Sequence, residues 1–290
     1  MVLPSRRDRF RRLHRSLLPV PSSLVLQNIM PERLGQHFLK DPGWRTKILR
    51  ALDVRTGDAW LEIGAGHGEM TRELARTAER VLAIEIDKAL HGGLERLAAE
   101  QPKITLVRGD ILQLDLAHLL MGQRVRVYGS LPYYITSPIL RRLFEHASQI
   151  ISIAVVIQLE VAVRITARPG SRDYGFLSVL CQYYSQPEIA LRLPPSAFTP
   201  RPKVASALVR MRLPGQQANL GIADDAAFEK FLQACFAQKR KTLLNNLKPL
   251  AEAERASAAI SACGLKPQAR AEELQLSDFA ELYRELFARG

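Results

Sequence analysis

The stretch Ser130-Leu131-Pro132-Tyr133 sets a hydroxyl, a proline-flanked backbone and an aromatic ring within four residues. Those are the parts needed to hold a planar exocyclic amine. An amine of this kind, as on adenine or cytosine, is a poor nucleophile because its nitrogen lone pair is delocalised into the ring. Two acceptors correct that. If the Ser130 oxygen and a nearby carbonyl, that of Leu131 or Pro132, take the two N–H hydrogens, the nitrogen is drawn toward a tetrahedral shape and its lone pair is freed. Tyr133 is expected to stack on the base. The apolar run Val125 to Tyr128 precedes the stretch and a helix-like segment follows Ser137-Pro138, so the stretch reads as a loop at a strand's end. Proline after a strand is also ordinary turn chemistry, so the assignment depends on what stands upstream.

Upstream, Ala59 to Ile63 reads as a short buried strand running into Gly64-Ala65-Gly66-His67-Gly68 and a helix beginning near Glu69. Glycines in a strand-turn-helix arrangement let the backbone approach a ligand closely. A second strand, Val81 to Ile84, ends at Glu85, 21 residues beyond Gly64. At that spacing a carboxylate meets ribose hydroxyls in nucleotide-binding βαβ units. Asp87 competes for the role but suits the N-cap of a helix carrying Leu90, Leu94, Leu97 and Ala98. A third strand, Ile104 to Arg108, closes with Gly109-Asp110-Ile111. Asp110 is either a turn residue or an acceptor for an adenine amino group, with Ile111 packed on the ring. Four strand ends thus deliver the glycine turn, Glu85, Asp110 and Ser130 to one edge of a parallel sheet.

The remaining features position or extend this edge. Gly35 to Asp41 leads into a helical pattern of Trp44, Ile48, Leu49 and Leu52. Strands are expected at Ile150 to Ile157, Glu188 to Leu193 and Val204 to Leu213. The last two flank a proline-stiffened loop that presents Phe198 beside Arg201 and Lys203, a pairing suited to base stacking and phosphate contact. Arg168 and Arg172 sit on another loop and could meet phosphates or solvent. After Pro214-Gly215 the pattern is helical, with core stripes at Phe228, Phe231, Leu232, Cys235 and Phe236 and at Phe279, Leu282, Tyr283, Leu286 and Phe287. Between the stripes, Lys239, Arg240 and Lys241 form a basic cluster that is either a solvated helix end or a face turned to nucleic acid.

The chain has 290 residues and a formal net charge of +12, which points to a polyanionic partner. Six arginines against Asp8 within the first fifteen residues account for five of those charges, so the remainder is still basic by seven. Residues 1–32 read as a disordered basic arm: an organelle leader, an RNA-binding tail or, the reading preferred here, an extension ahead of a bacterial start at Met30. Three widely spaced cysteines suggest neither a disulfide framework nor a zinc knuckle, and fit a reducing compartment. Six histidines show no paired metal-ligand spacing, so no metal is expected. The longest apolar run, Ile150 to Ile157, is far short of the roughly 20 residues that span a bilayer. A cytoplasmic monomer is expected.

Taken in order, the motifs resemble the ribosomal RNA adenine N6-dimethyltransferase family, most closely its bacterial small-subunit (16S) members. The resemblance runs over residues 33–290 and rests on Gly-Gln-His-Phe-Leu at 35–39, Leu-Glu-Ile-Gly-Ala-Gly at 61–66, Ile-Glu-Ile-Asp at 84–87, Gly-Asp-Ile at 109–111, Ser-Leu-Pro-Tyr-Tyr-Ile at 130–135, the Pro-Pro-Ser-Ala-Phe-Thr-Pro-Arg-Pro-Lys-Val run at 194–204 and Gln-Lys-Arg-Lys-Thr-Leu at 238–243. It implies an α/β fold, a Rossmann-like seven-stranded methyltransferase sheet over residues 33–213, with its last pair of strands antiparallel, and a smaller helical RNA-docking domain over 214–290. It implies S-adenosylmethionine as methyl donor, held by His37, Leu39, Gly64, Gly66, Glu85, Asp110, Ile111 and Ser130. Tyr133 and Phe198 would sandwich the target adenine, and Arg201, Lys203, Lys239, Arg240 and Lys241 would contact phosphates of 16S rRNA in an immature 30S subunit. Two positions depart from the family: Ser130 stands where Asn is usual and Ala205 where Asp is usual. Ser130 keeps an acceptor oxygen on a shorter side chain.

Other readings share parts of this pattern. An RNA-binding assembly factor with weak or no methyl transfer would use the same basic surface, and a 23S rRNA adenine methyltransferase the same motifs. A nicotinamide oxidoreductase shares the glycine turn and acidic residue but leaves Ser130 to Tyr133 and the basic charge unexplained.

Overall fold

The computed structural model describes residues 37–132 and 134–287, so the basic arm and Tyr133 lie outside the described residues. A two-residue strand, β1 (Phe38–Leu39), precedes helix α1 (Pro42–Leu52), which is capped by the Asp41 carboxylate accepting from Gly43 N at 2.7 Å. Strand β2 (Ala59–Ile63), α2 (Glu69–Thr77), β3 (Arg80–Glu85), α3 (Lys88–Glu100) and β4 (Ile104–Arg108) follow as successive strand-helix-strand units with parallel strands. Next come α4 (Leu116–Leu120), β5 (Val125–Ser130), α5 (Thr136–Phe144), β6 (Ile150–Gln158), α6 (Leu159–Ile165) and α7 (Phe176–Tyr184). Strands β7 (Gln186–Leu193), β8 (Phe198–Thr199) and β9 (Ser206–Arg212) complete the sheets.

Seven strands form one sheet in the order β4-β3-β2-β5-β6-β9-β7, with β9 antiparallel to both of its neighbours and the first five strands parallel. The chain moves outward from β2 to β4, then returns to the other side of β2 to lay down β5. This reversal opens a crevice at the carboxyl ends of β2 and β5, where open α/β sheets bind ligands. The Rossmann-like sheet read from the motifs is therefore the observed one. Alternation along β2 turns Leu61 and Ile63 into one apolar layer and Trp60 into the other, so both faces of the sheet are covered. Helices α1, α2 and α3 cover one face through Ile48, Leu74 and Leu94. Helices α5 and α7 cover the other through Leu140, Leu143 and Leu180.

Beyond β9 lie α8 (Gln217–Leu220), α9 (Asp225–Cys235), α10 (Leu243–Leu247), α11 (Ala253–Ala262) and α12 (Leu276–Phe287). Both helical stripes read from the sequence face the core, with Phe236, Tyr283 and Phe287 only partly buried, and Phe228 meets Tyr283 edge-on with ring centroids 5.2 Å apart. Phe228 also packs on Tyr183 of α7 at 5.0 Å. One apolar cluster therefore runs from the sheet into these helices, across the segment boundary expected at residue 214.

Several element boundaries differ from the sequence reading. Strand β5 extends to Ser130, because Gly129 and Ser130 keep pairing with Val155 and Val156 of β6. Ser130 is thus the last residue of a strand rather than part of a loop. Helix α5 starts at Thr136, which places Pro138 in its first turn, where a missing N–H costs nothing. The last strand begins at Ser206 rather than Val204, whose side chain is exposed.

Candidate active site

A cavity of about 220 Å³ opens at the switch point, and its wall contains every described residue read as donor-binding or catalytic: His37, Leu39, Gly64, Gly66, Glu85, Asp110, Ile111, Ser130, Leu131 and Pro132. Phe198 joins them. Local chemistry explains each placement. Gly66 has φ +61°, and a Cβ there would lie 3.2 Å from the Phe38 ring, so only glycine lets the turn pass beneath that ring. Gly66 N donates to Glu85 Oε2 at 2.7 Å, and Asp87 N donates to Oε1 at 2.8 Å. Two backbone donors therefore orient the buried Glu85 carboxylate at the end of β3, next to the turn. Asp110 Oδ1 accepts from Leu112 N at 2.9 Å, so this residue closes a turn and lines the cavity as well. Asp87 caps α3 through Ala89 N, as its spacing predicts.

The end of β5 carries the three acceptors read from the sequence. The Ser130 hydroxyl has no hydrogen-bond partner among the described residues and lines the cavity. The two candidate carbonyls differ. That of Pro132 already accepts from Ile135 N and from the Thr136 hydroxyl, each at 3.3 Å. That of Leu131 accepts from no described residue, while Leu131 N is fixed by Val156 O at 3.0 Å. Leu131 is therefore the carbonyl available to a ligand.

Pairing between distant segments closes the cavity. Strand β1 pairs antiparallel with β8, matching Leu39 to Phe198, and Lys40 N donates to Ala197 O at 3.0 Å. His37 Nδ1 lies 2.7 Å from Pro200 O. This strap carries His37 and Leu39 over the glycine turn and sets Phe198 into the wall. Phe198 is only 5 % exposed, so it faces the cavity from within rather than projecting from a loop. Arg201 and Lys203, a few residues on, are exposed and make no ion pair or hydrogen bond among the described residues.

One cavity carboxyl escaped the sequence reading. Glu62 lies within the apolar β2, is 1 % exposed and lines the cavity floor. Burial pushes its pKa up to about 8; Thr71 nearby lowers it, without a well-formed hydrogen bond, and Glu85 and Glu69 add repulsion. One Glu62 oxygen has no partner. The available signal was a lone acid in a strand otherwise buried on both faces, which must meet either a partner or a ligand. Tyr128, its cross-strand neighbour, is likewise buried in the wall.

Electrostatically the cavity is the reverse of the molecule. Glu62, Glu69, Glu85 and Asp110 line it, and among the described residues no lysine or arginine does, although the chain carries +12. Such a site favours a cationic ligand and repels a pyrophosphate. Among the described residues, no group of three or more His, Cys, Asp or Glu side chains is arranged to hold a metal ion.

The basic clusters that the sequence leaves far apart come together elsewhere. Lys239 Nζ donates to Arg172 O at 2.5 Å, Gly170 N to Glu272 O at 2.8 Å and Tyr174 Oη to Leu274 O at 3.0 Å. The loop bearing Arg168 and Arg172 is thereby docked on the turn bearing Lys239, Arg240 and Lys241. That turn links α9 to α10 and is exposed.

A seven-stranded sheet of this order, with its cavity at the switch point, is the Rossmann-like methyltransferase architecture. The family model described as "Ribosomal RNA adenine dimethylase" matches residues 28–287, and the chain belongs to that family. It is 42% identical over 260 residues to the "Ribosomal RNA small subunit methyltransferase A" of Acidobacterium capsulatum, covering 89% of this chain and 92% of that protein. It is 39% identical to the protein of the same name from Koribacter versatilis, covering 92% and 99%. Among solved structures, a dimethyladenosine transferase from Plasmodium falciparum shares the fold with a TM-score of 0.72 at 24% identity, over 88% of this chain and 98% of that one.

Proposed function

We propose that this enzyme transfers methyl groups from S-adenosylmethionine to the N6 atoms of adenosines, two adjacent ones, in 16S rRNA during small-subunit assembly. The observation that carries the donor assignment is the charge of the cavity: among the described residues that line it, four bear carboxyls and none is a lysine or arginine, which suits a positively charged donor without phosphates. A nicotinamide dinucleotide is disfavoured on the same ground, and Gly66 N–H, which could have met its pyrophosphate, is taken by Glu85. When bound, S-adenosylmethionine supplies an electrophilic methyl group on a sulfonium.

The chain's own residues do the rest. Glu85 holds ribose hydroxyls, Asp110 and Ile111 an adenine ring, and His37, Leu39 and the turn at Gly64 and Gly66 the remainder. Glu62, on the floor, is available to an ammonium group, whose charge would favour its ionised form. On the target side, Ser130 Oγ and Leu131 O accept the two N–H hydrogens of the amine and free its lone pair. Phe198 supplies a stacking face, with Tyr133 as the second. The target base is unpaired or extruded to enter. Arg201, Lys203 and the Lys239 to Lys241 turn meet phosphates.

The test uses small-subunit particles from cells lacking the enzyme, labelled donor and nucleoside mass spectrometry. Dimethyladenosine should form in 16S rRNA, and Glu85→Ala should reduce incorporation at least a hundredfold with particle binding retained. Particle binding without incorporation by the parent protein would make it an assembly factor, and label in 23S rRNA alone would move its target to the large subunit.

A further inference from the structure

A second cavity, of about 340 Å³, opens at the opposite end of the same strands, where the sheet register assembles a row of hydrogen-bond donors. Trp60 of β2 stands opposite Arg126 of β5, Arg126 opposite Ser152 of β6, and Ser152 opposite Arg212 of β9. Cross-strand partners share a face. An indole N–H, a guanidinium, a hydroxyl and a second guanidinium therefore lie side by side across four adjacent strands, and all four residues line this cavity. At about 4.8 Å between strands the row is roughly 14 Å long.

The row is short of acceptors. The Trp60 indole N–H is buried and has no partner. Arg212 is exposed and its side chain makes no ion pair or hydrogen bond among the described residues. Arg126 is oriented by Asp58 at 3.0 Å and reaches Ser152 Oγ at 3.4 Å. Arg210, one step along β9 on the same face, is likewise steered by Glu188 at 2.6 Å and by Ala51 O at 2.8 Å. Among the described residues, exposed Asp53 is the one carboxylate in the cavity wall, and it is engaged by Arg55. An orphan indole donor at one end of the row and an unpaired guanidinium at the other, lining one cavity, call for a ligand rich in anionic acceptors.

We infer that this donor row is a second RNA-binding site, taking phosphate groups of the RNA backbone at the end of the sheet opposite the methyl-transfer cavity. The choice of RNA as the phosphate source rests on the rRNA reading above. The basic remainder of the chain favours a polymer over a free ion, and the open end of the row at Arg212 leaves room for a strand to continue. A site so far from the chemistry sets register and affinity rather than rate.

The test substitutes Arg212→Gln, Arg212→Lys and the pair Arg212→Gln with Ser152→Ala; Arg126 is left alone because its loss would strand Asp58. RNA binding is titrated over salt with small-subunit particles and with naked 16S rRNA. Arg212→Gln is expected to weaken binding severalfold and to lower the slope of log affinity against log salt by about 0.7–0.9. The double variant should weaken it further, and Arg212→Lys should restore most of the slope. Donor affinity by calorimetry and single-turnover methylation at saturating RNA should be unchanged in all three. Unchanged RNA affinity and slope in the double variant would overturn the site. So would a result in which inorganic phosphate raises the parent's melting temperature, the double variant loses that effect, and RNA affinity stays constant, since the ligand would then be a small phosphate. Failure of the parent to methylate any particle would sink the catalytic reading, while a slope change in the same experiment would still support this site.

Discussion

At the residue scale the chemistry turns on Ser130 and Glu62. Ser130 offers an unpartnered hydroxyl at the end of β5 beside the free Leu131 carbonyl, so a first methylation can satisfy both acceptors. The monomethylated amine has a single N–H left and can satisfy only one at a time. Ser130→Ala should therefore lower single-turnover rates about a hundredfold, with RNA affinity little changed, and shift product toward the monomethyl form. Ser130→Asn should restore or exceed the parent rate. Equal rates and equal product ratios for the three proteins would reduce Ser130 to a strand terminus. Glu62 makes a pH-dependent prediction. A carboxyl with a folded pKa near 8 binds more protons folded than unfolded between about pH 4.5 and 8. Its contribution to stability is thus fully present below the unfolded value and lost as pH rises through 8. Glu62→Gln, which cannot ionise, should match the parent in donor-free melting temperature near pH 4.5 and exceed it by several degrees at pH 8.5. The same variant should bind a cationic donor more weakly. A melting difference independent of pH would mean that Glu62 titrates normally.

At the element scale, the glycine turn between β2 and α2 is held from two sides. Phe38 of β1 lies over Gly66, and Leu97 and Leu94 of α3 close on Gly68. A Cβ on Gly68 would come within 2.7 Å of Leu97 Cδ2 at φ +84°. Gly122 also has positive φ, +74°, but a Cβ there would meet nothing within 4 Å. Gly68→Ala combines overpacking with backbone strain and should cost about 2–4 kcal/mol in denaturant unfolding, whereas Gly122→Ala carries strain alone and should cost about 1 kcal/mol. Similar costs at both positions would show that α3 yields freely. The element pattern itself was legible from the chain because strand, turn and helix signals are local: β2, β4, the start of α2 and the Asp87 cap fall where periodicity and capping chemistry put them. The end of β5 was less so. Its last two residues are strand only through their pairing with β6.

At the scale of the molecule, two charge fields are kept apart. Acidic residues line the cavity, while among the described residues no lysine or arginine is buried, so the proposed cationic donor and polyanionic RNA would be drawn to different regions of one chain. The docked pair of basic segments at Arg172 and Lys239 is central to the second field. Replacing Lys239, Arg240 and Lys241 together with alanine should reduce RNA affinity and lower the salt slope by about two to three, without changing donor affinity measured by calorimetry. An unchanged slope would leave that turn as solvated surface.

What the chain determined by itself is whatever short-range chemistry dictates: the strand-turn-helix succession, the glycine spacing to Glu85, the acids at strand ends, the helical core stripes and the overall basic charge. These survive because hydrophobic period, turn residues and caps act over a few residues. Tertiary structure alone decided the rest. Phe198 enters the cavity wall because β8 pairs with β1, some 160 residues earlier in the chain, and the two basic segments meet because Lys239 caps a carbonyl 67 residues away. Glu62 became a perturbed acid, and Trp60, Arg126, Ser152 and Arg212 a row, only when four strands fell into register. Strand register is a property of pairs of distant segments, set by burial on both faces of the sheet, and no window of the sequence contains it.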